Sequence, residues 1–373
     1  MKAPFFDTVV VGLGAVGSAV LYQLSKQKGV EILGIDQYEP PHQLGSSHGE
    51  TRITRLAVGE GEDYVKLAKR SHVIWEEIEA AYGEKIRTKT GGILLDSGRN
   101  PWSKHGVEGF WERTLRFAKN QQVAHRVIGP EELQQFYPAF ILPTTGKIYW
   151  EEEAGYLFPE LAIQAQLHLA KEKGASVWTS TRVQSILQKG SYFQLELDRK
   201  VVHAKQLVLS AGGWVKDFLP KEKHTKMKIC RQVLFWLAIE EGLDGWERYP
   251  VWMWGFGPNP EDFIYGFPSL DGKTVKMASE SFLEVAHPDQ LNRIVSEEEK
   301  EIFWMEKVAG KIKGLKKEVV KSAVCFYTVT EDARFLIEPM DGNPNFLWIS
   351  ACSGHGFKHS AALGEEIVKR LGY

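Results

Sequence analysis

Phe6-Asp7-Thr8-Val9-Val10-Val11 runs directly into Gly12-Leu13-Gly14-Ala15-Val16-Gly17. The apolar, β-branched run has the texture of a buried parallel strand, and the glycines open a helical segment predicted to reach about Lys28. A second strand is predicted over Glu31-Ile32-Leu33-Gly34-Ile35, and Asp36 stands at its end, nineteen residues after Gly17. That spacing is near the one at which an acidic side chain accepts the ribose hydroxyls of an adenine dinucleotide. The glycines meet three separate steric needs. Gly12 permits the tight turn, Gly14 lets the backbone approach a pyrophosphate, and Gly17 allows close packing of helix on strand. A bare GxGxxG is common in loops. Strand, turn, helix, strand and terminal acid in this order specify a βαβ nucleotide unit, although they do not separate FAD from NAD.

Later segments read as the rest of the same sheet. Leu161 to Lys173 is an amphipathic helix, followed by strand-like Ser176-Val177-Trp178 and Arg182-Val183-Gln184-Ser185-Ile186. Gln206 to Ser210 is another buried strand. Phe346 to Ser350 leads into Ser353-Gly354-His355-Gly356-Phe357-Lys358 and a helix from about Ser360 to Leu371, a second glycine turn that aims a helix N-terminus at something polar. Residues 88–150 and 216–321 differ in texture, alternating aromatic-rich strand patterns with polar turns. The expected fold class is α/β: a Rossmann-like nucleotide domain built from 1–87, 151–215 and 322–373, interwoven with a mixed-sheet α+β substrate domain inserted as 88–150 and 216–321.

Composition agrees with a folded soluble protein of two domains. The 373 residues exceed what one ordinary core organises, and 43% hydrophobic with 25% charged residues is a globular balance. Lys+Arg 46 against Asp+Glu 48 leaves a formal charge of −2, which argues against nucleic acid or an anionic membrane surface as a partner. Cys230, Cys325 and Cys352 are widely spaced, with no CxxC; a reducing cytoplasm suits them better than a disulfide scaffold. No signal peptide or membrane anchor is expected from Met1-Lys2-Ala3-Pro4 onward.

Several side chains are candidates for chemistry. Arg52 and Arg55, three apart within Gly45-Ser46-Ser47-His48-Gly49-Glu50-Thr51-Arg52-Ile53-Thr54-Arg55, suit an anion site or equally a helix start with surface arginines. Lys276 lies in the buried-strand pattern Thr274-Val275-Lys276-Met277-Ala278, where a lysine is ordinarily an edge or snorkelling residue. Lys358 sits where a helix dipole disfavours a cation, which points to a functional reason. Cys325, in Ala323-Val324-Cys325-Phe326-Tyr327-Thr328, reads by spacing alone as a small buried hydrophobe. A Ser/His/Asp triad and a zinc site lack support, since GxSxG, HExxH and Cys/His clusters are absent from the sequence.

The glycine fingerprint with Asp36, the 45–55 segment, Tyr265-Gly266-Phe267-Pro268, Lys276, the Cys325 strand and Ser353–Lys358 occur together and in order. In this the chain resembles, over nearly its whole length, the monomeric sarcosine oxidase and N-methyltryptophan oxidase family of flavoproteins. The resemblance implies an oxidase of N-methyl or secondary α-amino acids that forms an imine and reduces O2 to hydrogen peroxide. It implies FAD held through a cysteine thioether, for which Cys325 matches. Arg52 then sits beside the flavin ring, Arg55 and Lys358 bind the substrate carboxylate, Lys276 promotes reaction with oxygen, and Tyr265 and Tyr327 line the substrate cavity. Gly12, Gly14, Gly17, Asp36, Ser47, Thr51, Arg52, Val183, Cys325, Gly354, His355, Gly356, Phe357 and Lys358 are the implied cofactor contacts. The family also implies a monomer whose partners are a small amino acid and O2.

Two departures bear on substrate. Glu280 stands where sarcosine-oxidising members carry a histidine, which disfavours sarcosine itself and favours a substrate with an added cationic or hydrogen-donating group. Trp236, Trp252, Met253 and Trp254 either line a larger cavity or pack the core. The chain also ends at Tyr373, short of the family's usual tail. A flavin dehydrogenase of the same fold, using another electron acceptor, is the alternative; an NAD enzyme or a binding-only nucleotide sensor leaves the second-half motifs unexplained.

Overall fold

The computed structural model describes residues 3–98, 102–104, 108–198, 200–242 and 245–373. Met1 and Lys2, with which the first predicted domain segment begins, lie outside them.

The opening strand, Phe5–Val11, is central to an eight-stranded sheet. It pairs in parallel with Ile32–Ile35 on one side and Val201–Leu209 on the other, and the parallel set extends to Ser176–Trp178 and Asn343–Ser350. These are the strands expected from the sequence, in one sheet. Side-chain alternation splits its residues between two cores: Val9 and Val11 pack with Val202, Leu209 and Trp348, whereas Val10 packs with Leu21, Ile163 and Leu363 of the covering helices. Those helices are Ala15–Leu24, Pro159–Glu172 and Ser360–Arg370. The α/β expectation holds.

The first helix is shorter than predicted, ending at Leu24 rather than near Lys28. Ser25 Oγ donates to Tyr22 O at 2.7 Å, and the N–H groups of Lys26 and Gln27 fall back to carbonyls three residues earlier. Gly29, at φ 71°, then turns the chain toward the second strand.

A nine-stranded sheet gathers the aromatic-rich segments. Gly92–Asp96, His125–Ile128 and Lys147–Glu151 join Val251–Gly255 through the parallel pairing of Gly92–Asp96 with Val251–Gly255. Lys228–Ile239 pairs with Thr274–Ala278 on one side and with the long strand Leu315–Val329 on the other. The boundary drawn at 321/322 falls inside Leu315–Val329, so Cys325 and Tyr327 reach the site from this sheet. A small third sheet, Arg52–Thr54 with Gly155–Leu157 and Arg87–Lys89, sets the start of the arginine segment. Among the described residues no helix is long and apolar enough to cross a membrane.

Candidate active site

The glycine turn is shaped by backbone contact. Gly12 has φ +88°, and a Cβ there would lie 2.7 Å from Ser210 O. At Gly17 a Cβ would stand 1.8 Å from Gly12 O, so only glycine lets this helix meet the turn. A Cβ on Gly14 would meet only Ser47 Oγ, at 3.9 Å. That open face belongs to a groove of about 500 Å³. Asp36 borders it and braces the turn: Oδ2 accepts from Leu13 N at 2.7 Å and Oδ1 from Tyr38 N at 2.9 Å.

Of the expected cofactor contacts, the groove brings together Gly12, Gly14, Asp36, Ser47, Arg52, Val183, Gly354, Gly356 and Phe357. Gly17 serves the packing behind it. Thr51, His355 and Lys358 line an adjoining cavity of about 60 Å³ instead. Arg52, Tyr327, Gly354 and Phe357 border both spaces and mark where they meet. Cys325 is buried on its strand, and burial pushes its thiol up, while Arg52 and Lys276 pull it down. Cys352, which sequence reasoning did not place in the site, lines the groove.

Arg55 and Lys358 face the smaller cavity, both buried. Arg55 Nη1 donates to Ala57 O at 2.5 Å and Nη2 lies 3.5 Å from Glu60 Oε2. Behind it, Glu151 accepts from the N–H groups of Leu56 at 2.5 Å and Ala57 at 3.1 Å, and from Tyr149 Oη at 2.9 Å. This buried carboxylate fixes the loop that aims the arginine. Lys358 Nζ donates to His355 O at 2.7 Å. Burial, helped by Arg55 and Lys104 and opposed by Glu60, lowers Lys358 to about 7. Tyr265 and Tyr327 meet with their hydroxyl oxygens 3.4 Å apart, and burial pushes Tyr265 up to about 12 and Tyr327 upward as well. Both phenols therefore stay neutral at ordinary pH.

Lys276 is enclosed on the strand Thr274–Ala278, neither at an edge nor snorkelling. Its Nζ donates to Gly49 O at 2.5 Å, Thr51 O at 2.8 Å and Thr51 Oγ1 at 2.9 Å, and lies 4.5 Å from the centre of the Phe267 ring. Burial and the Arg52 charge hold it well below the usual lysine value, against the pull of Glu50 and Glu160. Arg52 donates to Thr51 O and Ser46 O, both at 2.8 Å, so carbonyls of one short segment, 46–51, hold both basic side chains.

Strand alternation sorts the aromatic run. Met253 lines the cavity, whereas Trp252 and Trp254 point into the core with Phe140 and Ile264. Trp236 donates to Glu50 Oε2 at 2.8 Å. Glu280 lines the cavity and is met by Lys104 at 2.5 Å. Lys104, in the short described stretch 102–104, left no signal in the sequence; Glu60, an acid between Gly59 and Gly61 five residues after Arg55, left one that could have been read. Among the described residues no group of three His, Cys, Asp or Glu could hold a metal ion.

Residues 7–370 match the family model described as FAD dependent oxidoreductase. The chain belongs to that family. Within it, the chain is 34% identical to monomeric sarcosine oxidase of Bacillus sp. (strain B-0618), covering 96% of this chain and 90% of the relative. It is 29% identical to N-methyl-L-tryptophan oxidase of Salmonella enteritidis PT4, with 96% and 93% covered. Among solved structures, the open form of NikD, an unusual amino acid oxidase essential for nikkomycin biosynthesis, superposes with a TM-score of 0.83 at 17% identity, over 99% of this chain and 94% of its own. The residues present fit FAD: the open face of Gly14 would admit a pyrophosphate, and Asp36, at the end of the second strand, would be placed to accept from a ribose. This FAD-dependent oxidoreductase therefore keeps a cavity with buried basic side chains beside its groove.

Proposed function

We propose that the chain oxidises the C–N bond of an N-methyl or secondary α-amino acid to an imine, which water hydrolyses, with O2 reduced to hydrogen peroxide. The observation that carries this reading is the pair of buried basic side chains, Arg55 and Lys358, in a cavity that shares Arg52, Tyr327, Gly354 and Phe357 with the cofactor groove. FAD, when bound, supplies the two-electron acceptor for the amine and the donor to oxygen. Cys325 is its proposed point of attachment.

Arg55 and Lys358 hold the substrate carboxylate, the guanidinium through paired N–H groups and the ammonium as a point charge. Glu151 keeps the arginine loop from shifting. The same cations lower the proton affinity of a nearby amine and so favour the neutral nitrogen from which electrons leave. Met253, Phe263 and Phe267 keep water from this wall. Lys276, held against the carbonyls of Gly49 and Thr51, provides positive charge when protonated where oxygen gains electrons; in a dry site such a charge counts most. Arg52 adds a second. The eight-stranded sheet then serves as the cofactor domain and the nine-stranded sheet as the substrate domain.

A lysine closed off from solvent and satisfied by three acceptors favours the oxidase over a dehydrogenase, which has no use for a cation that assists oxygen. Oxygen uptake and peroxide release with a panel of N-methyl amino acids test this. Turnover with a dye acceptor but without oxygen consumption would establish the dehydrogenase instead.

A further inference from the structure

We infer that Glu50 and Lys321, an ion pair at the surface, are positioning residues that act across the Trp236 ring on the charge of the buried Lys276; what this does to oxygen rests on the oxidase reading above. Strand register places the row. Trp236 of Lys228–Ile239 is paired with Lys276 on one side and with Lys321 on the other. Residues directly opposite in paired strands share a face, so the indole separates two lysines whose backbones are about 10 Å apart, two strand spacings. Both Nζ atoms lie over its ring, that of Lys276 at 5.5 Å and that of Lys321 at 4.6 Å from the centre. The two ends differ in setting. Lys276 is 5% exposed and Trp236 4%, whereas the side chains of Lys321 and Glu50 are 52% and 42% exposed.

Glu50 closes the row. Its Oε2 accepts from Trp236 Nε1 at 2.8 Å, and its Oε1 accepts from Lys321 Nζ. It belongs to the 49–51 segment whose Gly49 and Thr51 carbonyls hold Lys276. Stability is a poor account of this arrangement. Glu50 has φ +71°, in the left-handed region that a residue with a Cβ rarely adopts, and an exposed ion pair contributes little in return. The long strand is irregular here as well. Beyond the Trp236–Lys321 pair the register moves to Leu237–Val319, so Val320 is an extra residue, a bulge of the kind that re-aims its neighbours. Two backbone irregularities converge on one indole, and each brings a charge to it.

Charges act more strongly through protein than through water. Glu50 draws Lys276 toward its protonated form, as do Glu160 and Cys325, against burial and the repulsion of Arg52. His48, lowered to about 3 chiefly by burial, is neutral beside them at ordinary pH. Lys321 adds repulsion from across the ring. The acid and the base of the surface pair therefore push Lys276 in opposite directions, which a merely stabilising contact does not do.

The test follows Lys276 itself, by carbon NMR of the FAD-loaded enzyme with carbon-13 at lysine Cε, the resonance being identified by its loss in Lys276→Met. Glu50→Gln keeps an acceptor for the indole but removes the charge, so Lys276 should lose its proton about half a pH unit lower, about threefold in the protonated fraction on that limb. Lys321→Met removes the opposing charge and should move the titration upward by a similar amount. In Trp236→Phe, which keeps a ring but releases Glu50, the effect of Glu50→Gln should fall away. Flavin content and thermal unfolding report that each variant is folded. Shifts in the same direction for Glu50→Gln and Lys321→Met, or a titration that neither moves, would overturn the inference. Stopped-flow reoxidation of the reduced enzyme separates the oxidase reading. A pH limb that follows the NMR titration in both variants supports the two together. A titration that moves while reoxidation by O2 does not leaves the surface control standing and removes Lys276 from the oxygen step.

Discussion

Glu160 and Lys276 grip opposite edges of one loop. Glu160 Oε1 accepts from the N–H groups of Gly49 at 2.6 Å and Glu50 at 3.2 Å, while Lys276 Nζ donates to the carbonyls of Gly49 and Thr51 at 2.5 and 2.8 Å. The carboxylate thus positions the loop on which the lysine rests, and its charge opposes the burial and the Arg52 repulsion that drive the ammonium toward neutrality.

Replacing Glu160 with Gln removes that opposing charge, so the pKa of Lys276 falls further. The rate at which oxygen reoxidises the reduced enzyme, followed by stopped-flow, is expected to lose its protonated-lysine dependence at a lower pH than in the wild type. An unmoved profile would show that Glu160 does not act through Lys276.

Lys358, lowered to about 7 by burial, loses its charge as pH rises through neutrality. The sign is therefore set: a simple carboxylate such as propionate should bind best below about pH 6 and progressively more weakly above about pH 8, one unit to either side of the transition. Arg55 then acts alone, so the dissociation constant should level off near that of Lys358→Met, which should itself change little across this range. Flavin absorbance titrations between these limits measure both.

The two cysteines near the flavin site separate by substitution. After acid precipitation, the flavin colour should stay with the pellet in wild type and in Cys352→Ala, and pass to the supernatant in Cys325→Ala. Colour released only by Cys352→Ala would move the tether to the groove-lining thiol.

Alanine at two glycines of the turn should fail for different reasons. Gly14→Ala meets only Ser47 Oγ, at 3.9 Å, so the protein should fold with nearly unchanged thermal stability but bind FAD poorly, because the methyl stands where the pyrophosphate approaches. Gly17→Ala drives its methyl to 1.8 Å from Gly12 O and should cost about 3 kcal/mol or more, the upper end of overpacking penalties. Thermal unfolding and flavin content of the two variants distinguish loss of binding from loss of fold.

What could be read directly from the sequence was local. The βαβ unit lies within residues 5–36, and its strand texture, glycine spacing and terminal acid each report a backbone requirement met by near neighbours. Lys276 and Lys358 were legible for a related reason: a cation in a buried-strand pattern, or before a helix N-terminus, conflicts with its own surroundings wherever the rest of the chain lies. The end of the first helix was less legible, since periodicity continued beyond the point at which Ser25 and Gly29 turned the chain.

Tertiary structure alone decided what stands opposite these groups. Periodicity assigns alternate residues to opposite faces of a strand, but it does not tell which face meets a cavity; the sheet put Met253 there and sent Trp252 and Trp254 to the core. Lys104 meets Glu280 across 176 positions of chain, and Cys352 lines the groove, through contacts between residues far apart in sequence. The charge of a site depends on such pairings, since Coulomb energy follows distance in space and not separation along the chain.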